Sequence, residues 1–176
     1  MRKVLFILAE LSDEDVDWLA KTGSRINVPP STPLITEGKP VNDLFIVLSG
    51  KLSVSMHGVG EIAEIGAGEV IGEMSFIDKR PPSASVTATT ECRMLYISRD
   101  AIDLHISQSP MFAAHFYKAI AAFLSDRLRG TVSRLGFGKI QKLSDEEMDG
   151  ELDMELLEKL HLAGARFDRI LQRLGG

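Results

Sequence analysis

The chain has a single cysteine, Cys92, and no long uncharged apolar run. One cysteine cannot form an internal disulfide, which favours a reducing compartment, so we expect a cytoplasmic protein. No stretch approaches the ~20 apolar residues that a membrane-spanning helix needs. Residues 4–9 imitate the apolar part of a signal peptide, but Glu10 ends that run and acidic residues follow it. The sequence therefore predicts neither a membrane span nor a secretion signal.

An excess of basic charge and the common catalytic motifs are also lacking. The 176 residues include 20 Lys+Arg and 25 Asp+Glu, a formal net charge of −5, which gives no general attraction to nucleic acid or to an anionic membrane. There is no Gly-x-Ser-x-Gly elbow and no Walker lysine, and the four histidines lack metal-ligand spacing with each other or with Cys92. We expect a non-enzyme with no catalytic residue, no metal site and no cofactor.

Turn residues divide the middle of the chain into short segments. Residues 3–22 predict one or two helices, with Ser12 and Asp15 at capping-box positions. From Ile26 to Arg99, short apolar runs alternate with glycine and proline, which predicts a mainly β domain of the sandwich, barrel or jelly-roll class with flanking helices. The predicted strands are 25–28, 33–36, 44–49, 51–56, 61–65, 84–88 and 92–98.

A long helix is predicted over residues 111–135, after a shorter one from Asp100 to Ile106. Pro110 stands in its first turn, where proline is tolerated. The helix is apolar on more than one side, so it needs a partner besides its own β domain. We expect a homodimer through this helix, in preference to simple intramolecular packing. The predicted interface residues are Phe112, Phe116, Ile120, Phe123, Leu124 and Leu128.

The last part of the chain is interpreted as a linker and a tail. Residues 1–138 form the domain with its long helix, 139–153 an acidic linker, and 154–176 an amphipathic helical segment broken or kinked near Gly164. The 38 residues after Gly138 are acidic and leucine-rich, whereas a winged helix-turn-helix needs more chain and a basic face. We expect no direct DNA binding, and a tail that caps the domain or binds a protein partner.

One stretch, residues 71–76 with 80–86 close behind, has the features of an anion-binding turn. Gly72 can adopt a positive φ and leaves backbone N–H groups uncovered for an anion. The adjacent Glu73 would repel a phosphate unless it faced another group, such as a sugar hydroxyl. The alternative interpretation is a β-turn and a capped helical turn inside an all-β core.

In this order of motifs the chain resembles the cyclic-nucleotide-binding domains of the catabolite activator protein and the protein kinase A regulatory subunit. The resemblance covers roughly residues 5–136. Residues 34–52 look like the first β-hairpins of the family, and residues 68–74 look like the segment leading into its phosphate-binding cassette. The resemblance implies a β-roll followed by a long helix, a bacterial signalling role and a cyclic-nucleotide ligand.

The resemblance also implies roles for individual residues. Glu73 would accept the ribose 2′-hydroxyl, and the backbone from Gly72 to Ser75 would face the sugar-phosphate. Pro82 stands where the family has its phosphate-binding arginine, and Arg80 is the candidate substitute. Thr131 falls near the purine contact. The complete predicted ligand set is Ile71, Gly72, Glu73, Met74, Ser75, Arg80, Pro82, Ser83, Ala84 and Thr131.

Three functions are compatible with the sequence. The first is a regulatory module that binds cAMP, cGMP or cyclic di-GMP and acts through a protein partner. The second is a dimeric interaction module with a vestigial pocket, and the third and weakest is a transcription regulator. In the first case other arginines would supply the missing charge. The candidates are Arg25, Arg80, Arg93, Arg127, Arg129 and Arg134.

Overall fold

The structure, a computed structural model, describes residues 4–78, 80–136 and 154–175. Its helices are α1 Val4–Glu10, α2 Asp13–Thr22, α3 Arg99–Gln108, α4 Pro110–Gly136 and α5 Met154–Gly175. Its strands are β1 Ser24–Val28, β2 Pro33–Ile35, β3 Asp43–Ser49, β4 Lys51–Met56, β5 Gly60–Gly66, β6 Val70–Ile71, β7 Ser85–Ala88 and β8 Cys92–Ser98, with a 3₁₀ helix at Glu73–Phe76.

The strands form two four-stranded antiparallel sheets, ordered β1-β8-β3-β6 and β2-β7-β4-β5. The predicted class, mainly β with flanking helices, is confirmed. The sequence did not reveal β6, because two residues are too few to show an alternating pattern. It pairs with Phe45 and Ile46 of β3 and leads directly into Gly72.

Strand β3 separates two apolar cores, and this explains its continuous run of buried residues. Phe45 and Val47 belong to the cluster between the sheets. Leu44, Ile46 and Leu48 belong to the cluster that includes the helices. Successive side chains of a strand point to opposite faces, so a strand covered on both sides is apolar throughout. The cassette and the helices are therefore both built on this strand.

The N-terminal helices are fixed by polar contacts as well as by packing. The predicted capping box is present: the Ser12 amide donates to Asp15 Oδ2 at 2.7 Å, and the Asp15 amide donates to Ser12 Oγ at 3.1 Å. Asp15 Oδ2 also lies 2.7 Å from His115 Nδ1 of α4. Lys118 of α4 pairs with Glu10 at 2.6 Å. These contacts hold α4 against the start of the chain.

Four of the predicted dimer-interface residues lie inside the core of the chain itself. Phe112, Phe116, Ile120 and Phe123 are each at most 3% exposed and belong to the helical cluster with α1, α2 and α5 residues. Assigning these four to a dimer interface is therefore corrected: the face of α4 that needed a second partner is covered intramolecularly. Two of the predicted interface residues remain partly or largely accessible. They are Leu124, which is half-buried, and Leu128, which is 64% exposed.

Helix α5 is continuous through Gly164, where a break or kink was expected. A glycine inside a helix costs about 1 kcal/mol relative to alanine. The docking of α5 offsets such a cost, because Ala163, Phe167 and Ile170 are almost fully buried in the helical cluster. The helix packs chiefly on α1 and α2. The predicted linker, 139–153, lies outside the described residues.

None of the described helices combines the length and the apolar composition that crossing a membrane would require.

Candidate functional site

The cassette begins at a turn that only glycine can form without strain. Gly72 has φ +89°, and a β-carbon there would overlap the carbonyl oxygen of Asp43 in β3. The carbonyl of Gly72 accepts hydrogen bonds from the Ser75 amide at 3.3 Å and from Ser75 Oγ at 2.8 Å. The positive φ expected at Gly72 is therefore present. The close approach, however, is to the chain's own strand β3.

Glu73 is buried, 3% exposed, and forms an ion pair with Arg127 of α4. Arg127 Nη1 lies 2.5 Å from Glu73 Oε1, and the guanidinium also lies 5.5 Å from the centre of the Phe123 ring. Burial raises the pKa of the Glu73 carboxyl above its ordinary value, and the charge of Arg127 opposes that rise. The pair joins the cassette directly to α4.

Arg127 was only one of several arginines named as sources of charge, and it was not in the predicted ligand set. It is 54 residues from Glu73 in the sequence, so no local spacing reveals the pair. Its side chain is 39% exposed, although its partner is almost fully buried. The guanidinium therefore satisfies the buried carboxylate and still reaches solvent.

Arg80 lies in a different part of the cassette. Its side chain is 88% exposed and its Nε is 3.9 Å from Asp78. Together with Ser75 and Arg99 it lines a cleft of about 260 Å³. The guanidinium of Arg99 lies 5.1 Å from the centre of the Phe76 ring, and its Nε lies 3.3 Å from Asp103. Arg80 and Arg127 thus bring positive charge to separate residues of the cassette.

The remaining predicted ligand residues have varied surroundings. Ile71 is buried in the core between the sheets, whereas Met74 is 56% exposed. The carbonyl of Pro82 accepts from the Gly38 amide at 2.9 Å. Ser83 is exposed and Ala84 is half-buried, just before β7. The Thr131 residue belongs to α4, but its side chain lies outside the described part of the structure.

The other arginines named as charge sources lie elsewhere. Arg25 is on β1, at the edge of its sheet opposite to β6 and the cassette. Arg93 is on β8, where its Nε donates to Ser49 Oγ at 2.9 Å. Arg129 is exposed on α4, and the side chain of Arg134 lies outside the described part of the structure. Among the candidates whose side chains the structure describes, Arg127 is the one with an ion pair to Glu73.

Residues 25–108 match the model of the family described as the cyclic nucleotide-binding domain, and this part of the chain belongs to that family. The chain is similar to a solved cyclic nucleotide-binding domain from Methylobacillus flagellatus KT, with 29% identity and a TM-score of 0.69. That match covers 81% of this chain and 85% of the other. The predicted family is thereby confirmed.

Two curated proteins extend the comparison. The chain is 31% identical over 123 residues to the cyclic AMP receptor protein of Thermus thermophilus, a match covering 68% of this chain and 55% of that protein. It is 30% identical over 122 residues to glutaminase 2 of Bradyrhizobium diazoefficiens, which covers 69% of this chain and 19% of that protein. The chain thus spans about half of the receptor and about a fifth of the glutaminase.

Proposed function

We propose that this protein is a non-enzymatic regulatory module that binds a cyclic nucleotide at the cassette and acts through protein–protein contacts. The observation that carries the proposal is the buried Glu73 carboxylate, held next to the Gly72 turn by a half-exposed arginine. A buried carboxylate is costly unless it is paired, so this position has a specific polar role. Membership of the cyclic nucleotide-binding family supports that role as ligand binding.

Arg127 is proposed to supply the positive charge that Pro82 cannot. In a 3′,5′-cyclic nucleotide the phosphate is fused to the ribose, so a cation beside the carboxylate that holds the 2′-hydroxyl is close to the phosphate. A guanidinium has five donors and a carboxylate has two acceptor oxygens. Arg127 can therefore bond to Glu73 and to a ligand phosphate, while Glu73 also accepts from the ribose.

A cyclic mononucleotide is the favoured ligand over cyclic di-GMP. The Glu73–Arg127 pair offers one carboxylate for one ribose and one guanidinium for one phosphate. Cyclic di-GMP carries two phosphates and would need further cations beside this pair. Arg80 does not provide one there, because it lines an open cleft elsewhere on the cassette. The relative named as a cyclic AMP receptor protein supports cAMP as the first ligand to test.

Calorimetric titration with cAMP, cGMP and cyclic di-GMP tests the proposal. We expect wild-type protein to bind cAMP, and Arg127→Ala to lose about 1.5–3 kcal/mol, the value of a charged hydrogen bond. That loss is about ten- to a hundredfold in affinity. Arg80→Ala is the matched control and should change affinity less than about twofold. Arg127→Lys should recover part of the loss, because it keeps the charge without the planar fork.

The outcome that contradicts the proposal is equally direct. If wild-type protein gives no heat with any of the three nucleotides and its melting temperature does not change, the cassette binds none of them. If affinity falls in Arg80→Ala and not in Arg127→Ala, the ligand is bound through the open cleft instead. Melting curves of each variant without ligand separate lost affinity from lost folding.

A second function, a protein-interaction module with a closed pocket, is favoured by one observation. Glu73 already has a charged partner within the chain, at 2.5 Å, so the cassette is internally satisfied without a ligand. The absence of binding in the titration above would favour this alternative.

Direct DNA binding is the least supported function. The arginines of α5 form ion pairs with α2, so this basic face is already occupied by the chain's own acidic residues. An exposed basic face is the usual requirement for contacts with phosphates. The output of the module is therefore proposed to be a protein contact.

A further inference from the structure

The 3₁₀ helix of the cassette, Glu73–Phe76, and the residue after it present sides of opposite character. In a 3₁₀ helix three residues complete a turn, so side chains three positions apart lie one above the other. Glu73 and Phe76 share one side and are buried. Met74 and Ile77 share another side, and each is more than half exposed. One side therefore belongs to the proposed nucleotide site, and another is an apolar strip on the surface.

The apolar strip formed by Met74 and Ile77 borders a concave surface. The next side of the helix contains Ser75 and, three positions on, Asp78, and both line the cleft of about 260 Å³. The lining also includes the apolar Pro40. Scattered apolar side chains are ordinary on a protein surface, whereas contiguous exposed apolar area is typical of interaction sites. The strip and the cleft together are called the outer cassette surface.

Arg99, which also lines the cleft, supplies an oriented cation there. Its guanidinium lies 5.1 Å from the centre of the Phe76 ring, and its Nε donates to Asp103 at 3.3 Å. These contacts orient the guanidinium but use one of its five donors. The two terminal nitrogens make no hydrogen bond with the residues that the structure describes. Arg99 is therefore able to bind a carboxylate through two parallel hydrogen bonds.

The charge of the cleft is opposite in sign to that of the chain. Arg80 and Arg99 both line the cleft, and Asp78 offsets one of the two positive charges. The whole chain has a formal net charge of −5. A positive cleft on an acidic protein attracts acidic groups to this place in particular, and it disfavours a basic partner.

An acidic protein segment with an apolar residue next to its carboxylate fits this surface. The carboxylate pairs with Arg99, and the apolar side chain covers Met74 and Ile77 and removes them from water. A free phosphate would pair with the arginine but leave the apolar strip exposed. A basic segment would cover the strip but would bring its charge against the arginines. The acidic, apolar segment uses both parts of the surface.

We propose that the outer cassette surface is the docking site for such an acidic, apolar segment of a partner protein. The proposal rests on the proposed function, because it locates the protein contact through which the module acts. Glu73 and Met74 are consecutive residues of one short helix, so a nucleotide at Glu73 and a partner on Met74 contact the same element. Any effect of the nucleotide on the affinity for the partner is matched by an equal effect of the partner on the affinity for the nucleotide.

A phage-displayed library of random short peptides, selected on the full chain without nucleotide, tests the docking site. We expect the enriched peptides to contain glutamate or aspartate next to leucine, isoleucine or phenylalanine. A synthetic copy of the most enriched peptide is then titrated by fluorescence anisotropy. Met74→Ser/Ile77→Ser and Arg99→Gln should each weaken its binding about tenfold or more. Val59→Ser, at a similarly exposed apolar residue in the β4–β5 turn, is the control and should change it less than about twofold.

The proposal is overturned if the selection enriches no peptide over an uncoated support, or enriches peptides without an acidic residue. It is also overturned if Arg99→Gln binds the peptide as tightly as wild type, or if Val59→Ser weakens binding as much as Met74→Ser/Ile77→Ser. Melting curves verify that each variant is folded before titration.

The docking site and the nucleotide site can fail separately, because the selection uses no nucleotide and the cAMP titration uses no peptide. If wild type binds cAMP, saturating cAMP should change the peptide affinity at least about fivefold. An unchanged peptide affinity would refute the coupling between the two sides of the helix.

Discussion

Two arginine–carboxylate pairs in this molecule have opposite environments. In the cassette the carboxylate of Glu73 is buried, 3% exposed, and the side chain of Arg127 is 39% exposed. Under α5 the side chain of Arg166 is 10% exposed and that of Asp13 is 53% exposed. Burial raises the pKa of Glu73, whereas the hydrogen bond from Arg166 lowers the pKa of Asp13. The two arginine–carboxylate pairs therefore have carboxyl pKa values shifted in opposite directions. The reason is that the carboxylate is removed from water in the first pair and the arginine in the second.

The two pairs differ in which partner reaches solvent. In the cassette the side chain of the cation, Arg127, is partly exposed to solvent, as the proposed contact with a cyclic phosphate requires. Where α5 packs on α2, the anion Asp13 reaches solvent and the cation Arg166 is buried, so the arginine is part of the interior of the fold. The predictions below test this contrast, from the largest expected effect to the smallest.

The stability contributed by the packing of α5 should depend most on one aromatic residue, Phe167. Phe167→Ala removes a side chain that is 1% exposed, and large-to-small changes of this kind cost about 3–5 kcal/mol. Leu162→Ala, on the outer side of the same helix and 43% exposed, should cost less than about 1 kcal/mol. Urea unfolding of both variants measures the difference. Equal costs would show that α5 does not dock through Phe167.

In the cassette, the residue whose substitution should cost the most stability is Gly72. Gly72→Ala adds a β-carbon at positive φ and against the Asp43 carbonyl, a combined cost of about 2–5 kcal/mol. Gly38→Ala is the matched control: its φ is +75°, but nothing lies within 4 Å of the added carbon, so only the backbone cost of about 1–2 kcal/mol applies. Denaturation midpoints compare the two. If Gly38→Ala cost as much stability as Gly72→Ala, the contact with the Asp43 carbonyl would not explain the cost at Gly72.

The sequence was sufficient for the elements that leave a local pattern. Strands β4 and β8 and the capping box at Ser12 were predicted at their observed positions, because alternation and capping residues are local signals. The turn at Gly72 was predicted for the same reason.

The sequence was insufficient for contacts between distant segments. The stripe on α4 showed that a face is apolar, but it could not show that the same chain covers it, so Phe116 was assigned to a dimer. The partner of Glu73 is 54 residues away, and Leu8 and Arg166 are 158 residues apart. Such pairs are decided by the packing of whole helices, which no spacing rule encodes.

The hydrogen bond from Arg166 to the carbonyl of Leu8, at the C-terminus of α1, should contribute more to stability than the exposed Arg173–Asp17 ion pair. Arg166→Ala leaves the carbonyl of Leu8 without its donor in a buried place, a cost of about 1–3 kcal/mol. Arg173→Ala removes a pair whose side chains are 40% and 30% exposed, worth about 0–1 kcal/mol. Unfolding free energies from urea titration test the order. If Arg173→Ala were the more damaging change, the capping role of Arg166 would be refuted.

The smallest predicted effect is a pair of opposite pH dependences. The lowered pKa of Asp13 means that its ion pair contributes fully above the ordinary value of 3.8 and is lost as pH falls through the lowered pKa. Wild type should therefore lose its advantage over Asp13→Asn on acidification, an advantage of at most about 1 kcal/mol for a half-exposed pair. Urea midpoints of both proteins between about pH 3 and pH 8 measure this change.

Glu73 should behave in the opposite way. Its folded pKa is raised above the ordinary 4.5, so the folded state holds the proton more tightly than the unfolded state. The stability of wild type relative to Glu73→Gln should therefore fall as pH rises from 4.5 through the raised pKa, and recover on acidification. If the stability difference from wild type changed with pH in the same direction for both variants, the charge of Arg127, and not burial, would dominate the pKa of Glu73. The cassette would then resemble the α5 interface after all.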